Sequence, residues 1–103
     1  MLYGLNTETV DKINGVFSRF SEVEEAILYG SRAKGNYKPG SDIDLTLKGK
    51  KINLKIVNKI SLALDDLLLP YTFDISIFHQ ISNADLLEHI ERVGLVFYKK
   101  KEE

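Results

Sequence analysis

Two aspartates that lie two residues apart in an alternating run constrain the fold of this chain more than any other feature. Asp42 and Asp44 are the polar positions of a segment whose intervening residues, Ile43, Leu45 and Leu47, are apolar. This period-two pattern predicts a half-buried strand with both carboxylates on one face. Aspartate is depleted from strands, and like charges that neighbour one another on a sheet face repel. A solvated polar face is the ordinary alternative, but so costly a pairing favours a site that binds cations.

A glycine and a serine precede this strand, with ten residues between Ser31 and Asp42. Gly30 lacks the Cβ that would keep a ligand away from the backbone. The Ser31 hydroxyl and the first N–H groups of a helical turn can donate to phosphate oxygens. Serine is also a good helix N-cap, so the pair taken alone is more typical of a plain helix start. Its combination with the aspartates favours a phosphate-binding turn.

Two basic residues follow within that turn. Arg32 and Lys34 can neutralise phosphate charge, and arginine can do so through two hydrogen bonds. The alternative is that both side chains are simply solvated. The segment is not a P-loop, because Asn36 and Tyr37 stand after Gly35, where a P-loop requires lysine followed by serine or threonine.

A third aspartate, Asp74, lies in a later strand-like run from Phe73 to Phe78. Side chains of three such carboxylates can hold two divalent cations about 3.5–4 Å apart, the spacing of two-metal phosphoryl chemistry. The alternative for Asp74 is an ordinary aspartate at a strand edge. The two histidines, His79 and His89, have no metal-ligand spacing to each other, and both are predicted to be surface residues.

Strands and helices alternate along the chain. Helical periodicity and capping residues predict a first helix with Thr7 as its N-cap, a second over 53–68 and a third from Ser82 or Asn83 to Gly94. Strands are predicted over 25–29, 42–47, 73–78 and 95–98. This order predicts an α/β (α+β) fold with a small mixed sheet of about four strands and helices packed mainly on one face. The other face, near the aspartates, would then be open to a ligand.

Length and composition limit the classes of protein that fit. A chain of 103 residues with 44% hydrophobic residues suits a single domain over 1–103. Fourteen Lys+Arg against 15 Asp+Glu give a formal net charge of −1, which argues against a broad surface for duplex nucleic acid. There is no cysteine for a disulfide or a thiolate metal site. No apolar run approaches a membrane span, so we expect a cytoplasmic protein whose residues 99–103 form a flexible tail.

The spacing Gly30-Ser31, ten residues, Asp42-Ile43-Asp44, with Asp74 as third carboxylate, resembles the minimal nucleotidyltransferase (MNT) domains of the DNA polymerase beta-like nucleotidyltransferase superfamily. The core of the resemblance covers about 27–78. It implies a polymerase beta-like fold and transfer of a nucleoside monophosphate from a nucleoside triphosphate, with ATP the expected donor, to a hydroxyl.

The resemblance also implies roles for individual residues. Asp42, Asp44 and Asp74 would be catalytic and would hold two Mg²⁺ ions, for which Mn²⁺ can substitute. Nucleotide-binding residues would be Gly30, Ser31, Arg32 and Lys34.

A partner is implied as well. The chain is similar to MntA-like antitoxins, which are commonly paired with a small helical HEPN protein and in some cases adenylylate a tyrosine of that toxin. Two alternatives stay open from the sequence: a non-catalytic subunit that neutralises its partner by contact, and a free-standing enzyme that acts on a small-molecule hydroxyl. The acceptor, the base preference and the choice between homodimer and hetero-oligomer are not fixed by these residues.

Overall fold

Strands and helices alternate along residues 2–101, the part of the chain that the computed structural model describes. The elements are α1 (Thr7–Ser18), β1 (Glu25–Tyr29), α2 (Ser31–Lys34), β2 (Ile43–Lys48), α3 (Leu54–Asp65), β3 (Phe73–Ile77), a 3₁₀ turn (Phe78–Gln80), α4 (Ala84–Val93) and β4 (Leu95–Lys99). The predicted order of elements is confirmed. The largest difference in bounds is in α3, which ends three residues before the predicted 68.

Each of the three longer helices begins at an asparagine. The Asn6, Asn53 and Asn83 side chains accept the N–H of the residue three positions later, at 2.8–3.0 Å. Such a bond satisfies one of the N–H groups that the first helical turn leaves free. The predicted cap at Thr7 was wrong by one residue, since Asn6 takes this role and Thr7 is the first helical residue.

The sheet has the strand order β3-β2-β1-β4. β1 is antiparallel to β2 and to β4, whereas β2 and β3 are parallel. The parallel pair brings the beginnings of β2 and β3 to the same edge of the sheet. The predicted mixed sheet of four strands is therefore confirmed, and its parallel half carries two of the three aspartates.

The main core lies between one face of the sheet and the helices α1 and α3. Alternate strand residues and the apolar stripes of both helices meet there and are almost fully buried: Ile13, Phe17, Leu28, Ile43, Leu45, Leu47, Ile60 and Leu64. Helix α4 packs on the opposite face, where Ile90 joins a smaller cluster with Ile27 and Tyr29 of β1. Helix α4 therefore covers part of the second face of the sheet, and only the part beside this helix is open.

The last strand extends further than the sequence indicated. Lys99 belongs to β4, and the Lys100 N–H donates to the Glu24 carbonyl at 2.9 Å. The predicted flexible tail over 99–103 was therefore wrong for Lys99 and Lys100, because strand pairing continues to that point. Glu102 and Glu103 lie outside the described residues. Among the helices described between residues 2 and 101, none is long and apolar enough to cross a lipid bilayer.

Candidate active site

Asp44 and Asp74 face each other across the two parallel strands. They are register partners of β2 and β3, and neighbouring strands lie about 4.8 Å apart, so their side chains leave the same face side by side. Asp42 stands immediately before β2. Asp42 and Asp74 are exposed and Asp44 is half-buried. The structure thus brings the three predicted carboxylates to one edge of the sheet.

The carboxylates form an open cluster. Within residues 2–101, no group of three or more histidine, cysteine, aspartate or glutamate side chains is placed to hold a metal ion by itself. Burial raises the pKa of the Asp44 carboxyl above its ordinary value of 3.8, and the charges of Asp74 and Asp42 raise it further. Asp44 is therefore charged at a cost that a nearby cation would offset.

Gly30 lies directly against the Asp44 carboxylate of this cluster. Its φ of 75° and ψ of −156° belong to a region that only glycine occupies without strain. A Cβ at this position would collide with Oδ2 of Asp44. The Gly30 N–H donates to Nε2 of His89 at 3.1 Å, so in this structure it is used within the protein. Glycine is required at position 30 because the Asp44 carboxylate occupies the space that a side chain there would fill.

Ser31 and Lys34 lie at the two ends of α2, directly after this glycine. Ser31 is half-buried and Lys34 is exposed. The turn ends at Gly35, whose φ of 88° gives the helix a left-handed cap. Ser31 therefore adjoins the carboxylate cluster through Gly30, while Lys34 has a free path to solvent and to any anion there.

Arg32 has a different place from the one predicted. Its side chain is 2% exposed, and its guanidinium donates to the Ser41 carbonyl from Nε and Nη2, at 3.1 and 2.9 Å, and to the Tyr3 carbonyl from Nη1, at 2.9 Å. The rings of Tyr37 and Tyr71 lie 5.4 and 5.0 Å from its central carbon. The prediction that Arg32 binds phosphate is not supported, because its donors hold the loop between α2 and β2.

Two residues beside the cluster were missed by the sequence interpretation. Tyr29 is the register partner of Asp44 on β1, and its ring meets the His89 ring edge to face at a centroid distance of 6.2 Å. A signal for His89 existed: it adjoins Ile90 and follows Leu86 by three residues, so it lies at the flank of the apolar stripe of α4. A histidine at the border of a helix's buried face is placed to contact the sheet.

The pKa of the Tyr29 phenol is shifted by these surroundings. Burial raises the pKa of its phenol above 10.0, and the Asp74 and Asp44 charges add to the rise, whereas the Ser76 hydroxyl lowers it. Ser76 Oγ lies close enough to act on the phenol, but it makes no well-formed hydrogen bond, and neither does the buried Oγ1 of its neighbour Thr46. The Thr46 and Ser76 hydroxyls lie two residues further along β2 and β3, on the same face of the sheet as Asp44 and Asp74.

Solved structures share this architecture. The chain superimposes on a chain of a crystal structure described as "the toxin-antitoxin with AMP-PNP" with a TM-score of 0.70 and 16% identity, covering 94% of this chain and 76% of that one. A mutant form of the toxin-antitoxin MntA-HpeT gives a TM-score of 0.69 at 14% identity, with the same coverage. At this level of identity the likeness shows the fold alone, a four-stranded mixed sheet with its helices.

The sequence comparison identifies the family. The family model described as "Polymerase beta, Nucleotidyltransferase" matches residues 11–103, and the chain belongs to this family. A curated relative from Methanocaldococcus jannaschii, named "Putative protein adenylyltransferase MJ0141", is 29% identical over 82 residues, which cover 72% of this chain and 78% of that protein. The predicted nucleotidyltransferase class and the predicted polymerase beta-like fold are thereby confirmed.

Proposed function

We propose that this chain binds a nucleoside triphosphate, with ATP as donor, and transfers the nucleoside monophosphate to a hydroxyl in a Mg²⁺-dependent reaction. The observation that carries the proposal is the register pairing of Asp44 with Asp74 on parallel strands, with the Gly30 backbone against Asp44. This arrangement sets carboxylates and a turn of small residues at one sheet edge. A triphosphate and divalent cations need both.

The carboxylates suit magnesium by their chemistry. Mg²⁺ prefers oxygen ligands and is usually held by one or two carboxylates together with substrate phosphates and water. Asp42, Asp44 and Asp74 would hold the ions. The pKa of Asp44 is raised first by burial and then by the charges of Asp74 and Asp42, and bound cations would offset the cost of its negative charge. When bound, the ions neutralise phosphate charge and orient the phosphates for in-line attack. The open cluster fits this role, since phosphate oxygens complete the shell.

The remaining roles belong to the chain itself. Ser31 donates its hydroxyl to phosphate oxygens beside Gly30, and the exposed Lys34 balances charge at the outer phosphates. Asp74, exposed next to Asp44, accepts the proton of the attacking hydroxyl. The hydroxyl oxygen then bonds to the α-phosphorus, the bond to the leaving pyrophosphate breaks, and pyrophosphate departs. Arg32 has no part in this scheme because its donors are already bound to backbone carbonyls.

The acceptor that we propose is a tyrosine hydroxyl on a small helical HEPN toxin, which the chain would inactivate as its antitoxin. Two findings support a protein acceptor: the archaeal relative bears the name of a protein adenylyltransferase, and a structural neighbour is described as a toxin-antitoxin with AMP-PNP. Neutralisation of the toxin by contact alone is the alternative, and the exposed Asp42 and Asp74 argue against it, because a binding subunit has no need of clustered carboxylates.

Binding is tested first. Calorimetric titration of ATP with Mg²⁺ should give a much higher affinity than titration in EDTA, and Asp42→Asn with Asp44→Asn should abolish the difference. Asp11→Asn, a change at an exposed position of α1, is the matched control and should bind like the native chain. Equal affinities with and without Mg²⁺ would contradict the proposed metal site.

Transfer is tested with α-³²P-ATP and a co-expressed HEPN protein. Label should appear on the toxin, should depend on Mg²⁺ and should be lost in Asp74→Asn, while Asp11→Asn keeps it. Mutation of the labelled tyrosine to phenylalanine should remove the label and restore toxicity. Neutralisation without transferred label would favour inhibition by contact, and label on a small molecule would favour the free-standing enzyme.

A further inference from the structure

His89 is tied to the backbone of the glycine turn. Its Nε2 accepts the Gly30 N–H at 3.1 Å, although the two residues are 59 positions apart in the chain. A ring nitrogen that accepts a hydrogen bond carries no proton, so the ring proton is on Nδ1. Among the described helices, α4 is the one that packs on the site face of the sheet, through Ile90. The hydrogen bond therefore connects α4 directly to the turn beside Asp44.

This bond acts on the peptide between Tyr29 and Gly30, which connects the end of β1 to the start of α2. Gly30 has the widest backbone freedom of any residue type, and its φ and ψ are in a region that other residues avoid. Its carbonyl accepts the Lys34 N–H at 3.0 Å, which closes α2 but does not orient the peptide that precedes Gly30. The bond to His89 orients that peptide.

The position of the Gly30 backbone in turn determines where the Asp44 carboxylate and Ser31 lie. The Asp44 carboxylate lies against Gly30, where even a Cβ would collide with it, and Ser31 follows directly in the chain. The His89 ring is supported laterally by its edge-to-face contact with Tyr29, at 6.2 Å between centroids. A shift of the Gly30 peptide would therefore move the serine hydroxyl relative to the carboxylates.

We propose that His89 is a positioning residue for the nucleotide: by accepting the Gly30 N–H, it holds Ser31 and Asp44 at the separation that a metal-bound triphosphate requires. This role rests on the proposed function, whereas the hydrogen bond can be tested without it. Loss of one such bond typically changes an equilibrium by about tenfold. The effect should therefore appear in nucleotide affinity and transfer rate while the fold persists.

The hydrogen bond is tested by amide exchange at Gly30. Glutamine can place Oε1 near the position of Nε2, whereas leucine offers bulk without an acceptor. Gly30 N–H exchange, followed by NMR, should be faster in His89→Leu than in the native chain and close to native in His89→Gln. Unchanged exchange in His89→Leu would show that the bond does not protect this amide.

The positioning role is tested by calorimetry with Mg²⁺ and ATP, at a temperature where each variant is folded by circular dichroism. We expect about tenfold weaker binding in His89→Leu and recovery to within about threefold in His89→Gln. The same changes at His79, an exposed histidine of the 3₁₀ turn, are matched controls and should leave binding unchanged. If His89→Leu does not fold, His89→Asn, whose shorter amide does not reach Gly30, replaces it in the comparison with His89→Gln.

The outcomes separate this inference from the function on which it rests. Native binding that is retained in His89→Leu, or in His89→Asn, would overturn the positioning role alone. A native chain that binds no nucleotide with Mg²⁺ would overturn the proposed function and the positioning role together. Weakened binding that glutamine does not rescue would show that His89 acts through packing against Tyr29 and would overturn the role of its acceptor nitrogen.

Discussion

The Asp44 carboxylate rests against the backbone of Gly30, at a point where any side chain on residue 30 would collide with it. Gly30 directly follows β1 and precedes α2, and Asp44 is the second residue of β2. The antiparallel register pairs Tyr29 with Asp44, and this pairing brings the glycine to the carboxylate. The aspartate and the glycine are therefore parts of a single site.

Gly30→Ala should destabilise the fold by more than Gly35→Ala. Both glycines have positive φ, 75° and 88°, but a Cβ at Gly35 meets open space. Gly35→Ala should cost about 1 kcal/mol from backbone strain, and the free energy of unfolding in urea should fall further for Gly30→Ala. Combining Gly30→Ala with Asp44→Ala should recover the part of the excess that comes from the collision, since the colliding carboxylate is gone. An equal loss of unfolding free energy in Gly30→Ala and Gly35→Ala would show that the contact of residue 30 with Asp44 adds no destabilisation.

The sequence indicated the carboxylates but not their support. Asp42, Asp44 and the glycine turn are local patterns, readable because strand periodicity and turn chemistry act over a few residues. The contact of His89 with Gly30 depends on where α4 crosses the sheet, which no local pattern determines. Arg32 illustrates the same limit: beside a glycine turn it suggests phosphate binding, and only the loop folded back over it reveals a structural role.

Asp44→Asn should raise the melting temperature of the ligand-free chain at pH 7. The folded-state pKa of Asp44 is raised above 3.8, so the folded chain holds this proton more tightly than the unfolded chain. Stability from this group is lost as pH rises through the raised pKa, and asparagine avoids that loss. A gain of about 1 kcal/mol would raise the melting temperature by roughly 4–8 °C in a domain of this size.

The pH dependence provides the internal control for Asp44→Asn. The gain should shrink as pH falls through the raised pKa and vanish below the ordinary value of 3.8, where both states are protonated. Melting curves in EDTA between pH 7 and the acid limit of folding would follow this trend. A native chain that melts above the variant at pH 7 would mean that the Asp44 carboxylate stabilises the fold.

Tyr29 should titrate later than a free tyrosine, because its pKa is raised by burial and by the Asp74 and Asp44 charges. Ultraviolet difference titration of the native chain, with Tyr29→Phe as the assignment, should show this phenol ionising above pH 10. Asp74→Asn removes one of the charges that raise the pKa, so the same phenol should ionise at lower pH in that variant. An unshifted titration in Asp74→Asn would place the two groups beyond electrostatic reach.

Arg32→Met and Lys34→Met should separate structural from functional basic residues. Removing the buried guanidinium leaves the Ser41 and Tyr3 carbonyls without their hydrogen-bond donor. Each loss should cost about 1–3 kcal/mol, so the midpoint of urea unfolding should fall sharply. Lys34→Met, at an exposed position, should change stability by less than about 0.5 kcal/mol yet weaken nucleotide binding. An Arg32→Met variant as stable as the native chain would contradict the structural role.

Leu68 is strained and exposed at once, and both properties predict that glycine would stabilise the fold there. It follows α3 with a φ of 55°, and its side chain is 89% exposed, so neither packing nor backbone preference favours leucine. Leu68→Gly should add about 1 kcal/mol to the free energy of unfolding.

Tyr3, with a φ of 57°, is the matched control for Leu68→Gly. Its ring packs against Phe97 with 5.7 Å between the ring centroids, and its carbonyl accepts from Arg32. Tyr3→Gly relieves the same strain but should lower the urea midpoint, since the lost packing outweighs it. A Leu68→Gly variant that is less stable than the native chain would show that the leucine makes contacts that offset its backbone strain.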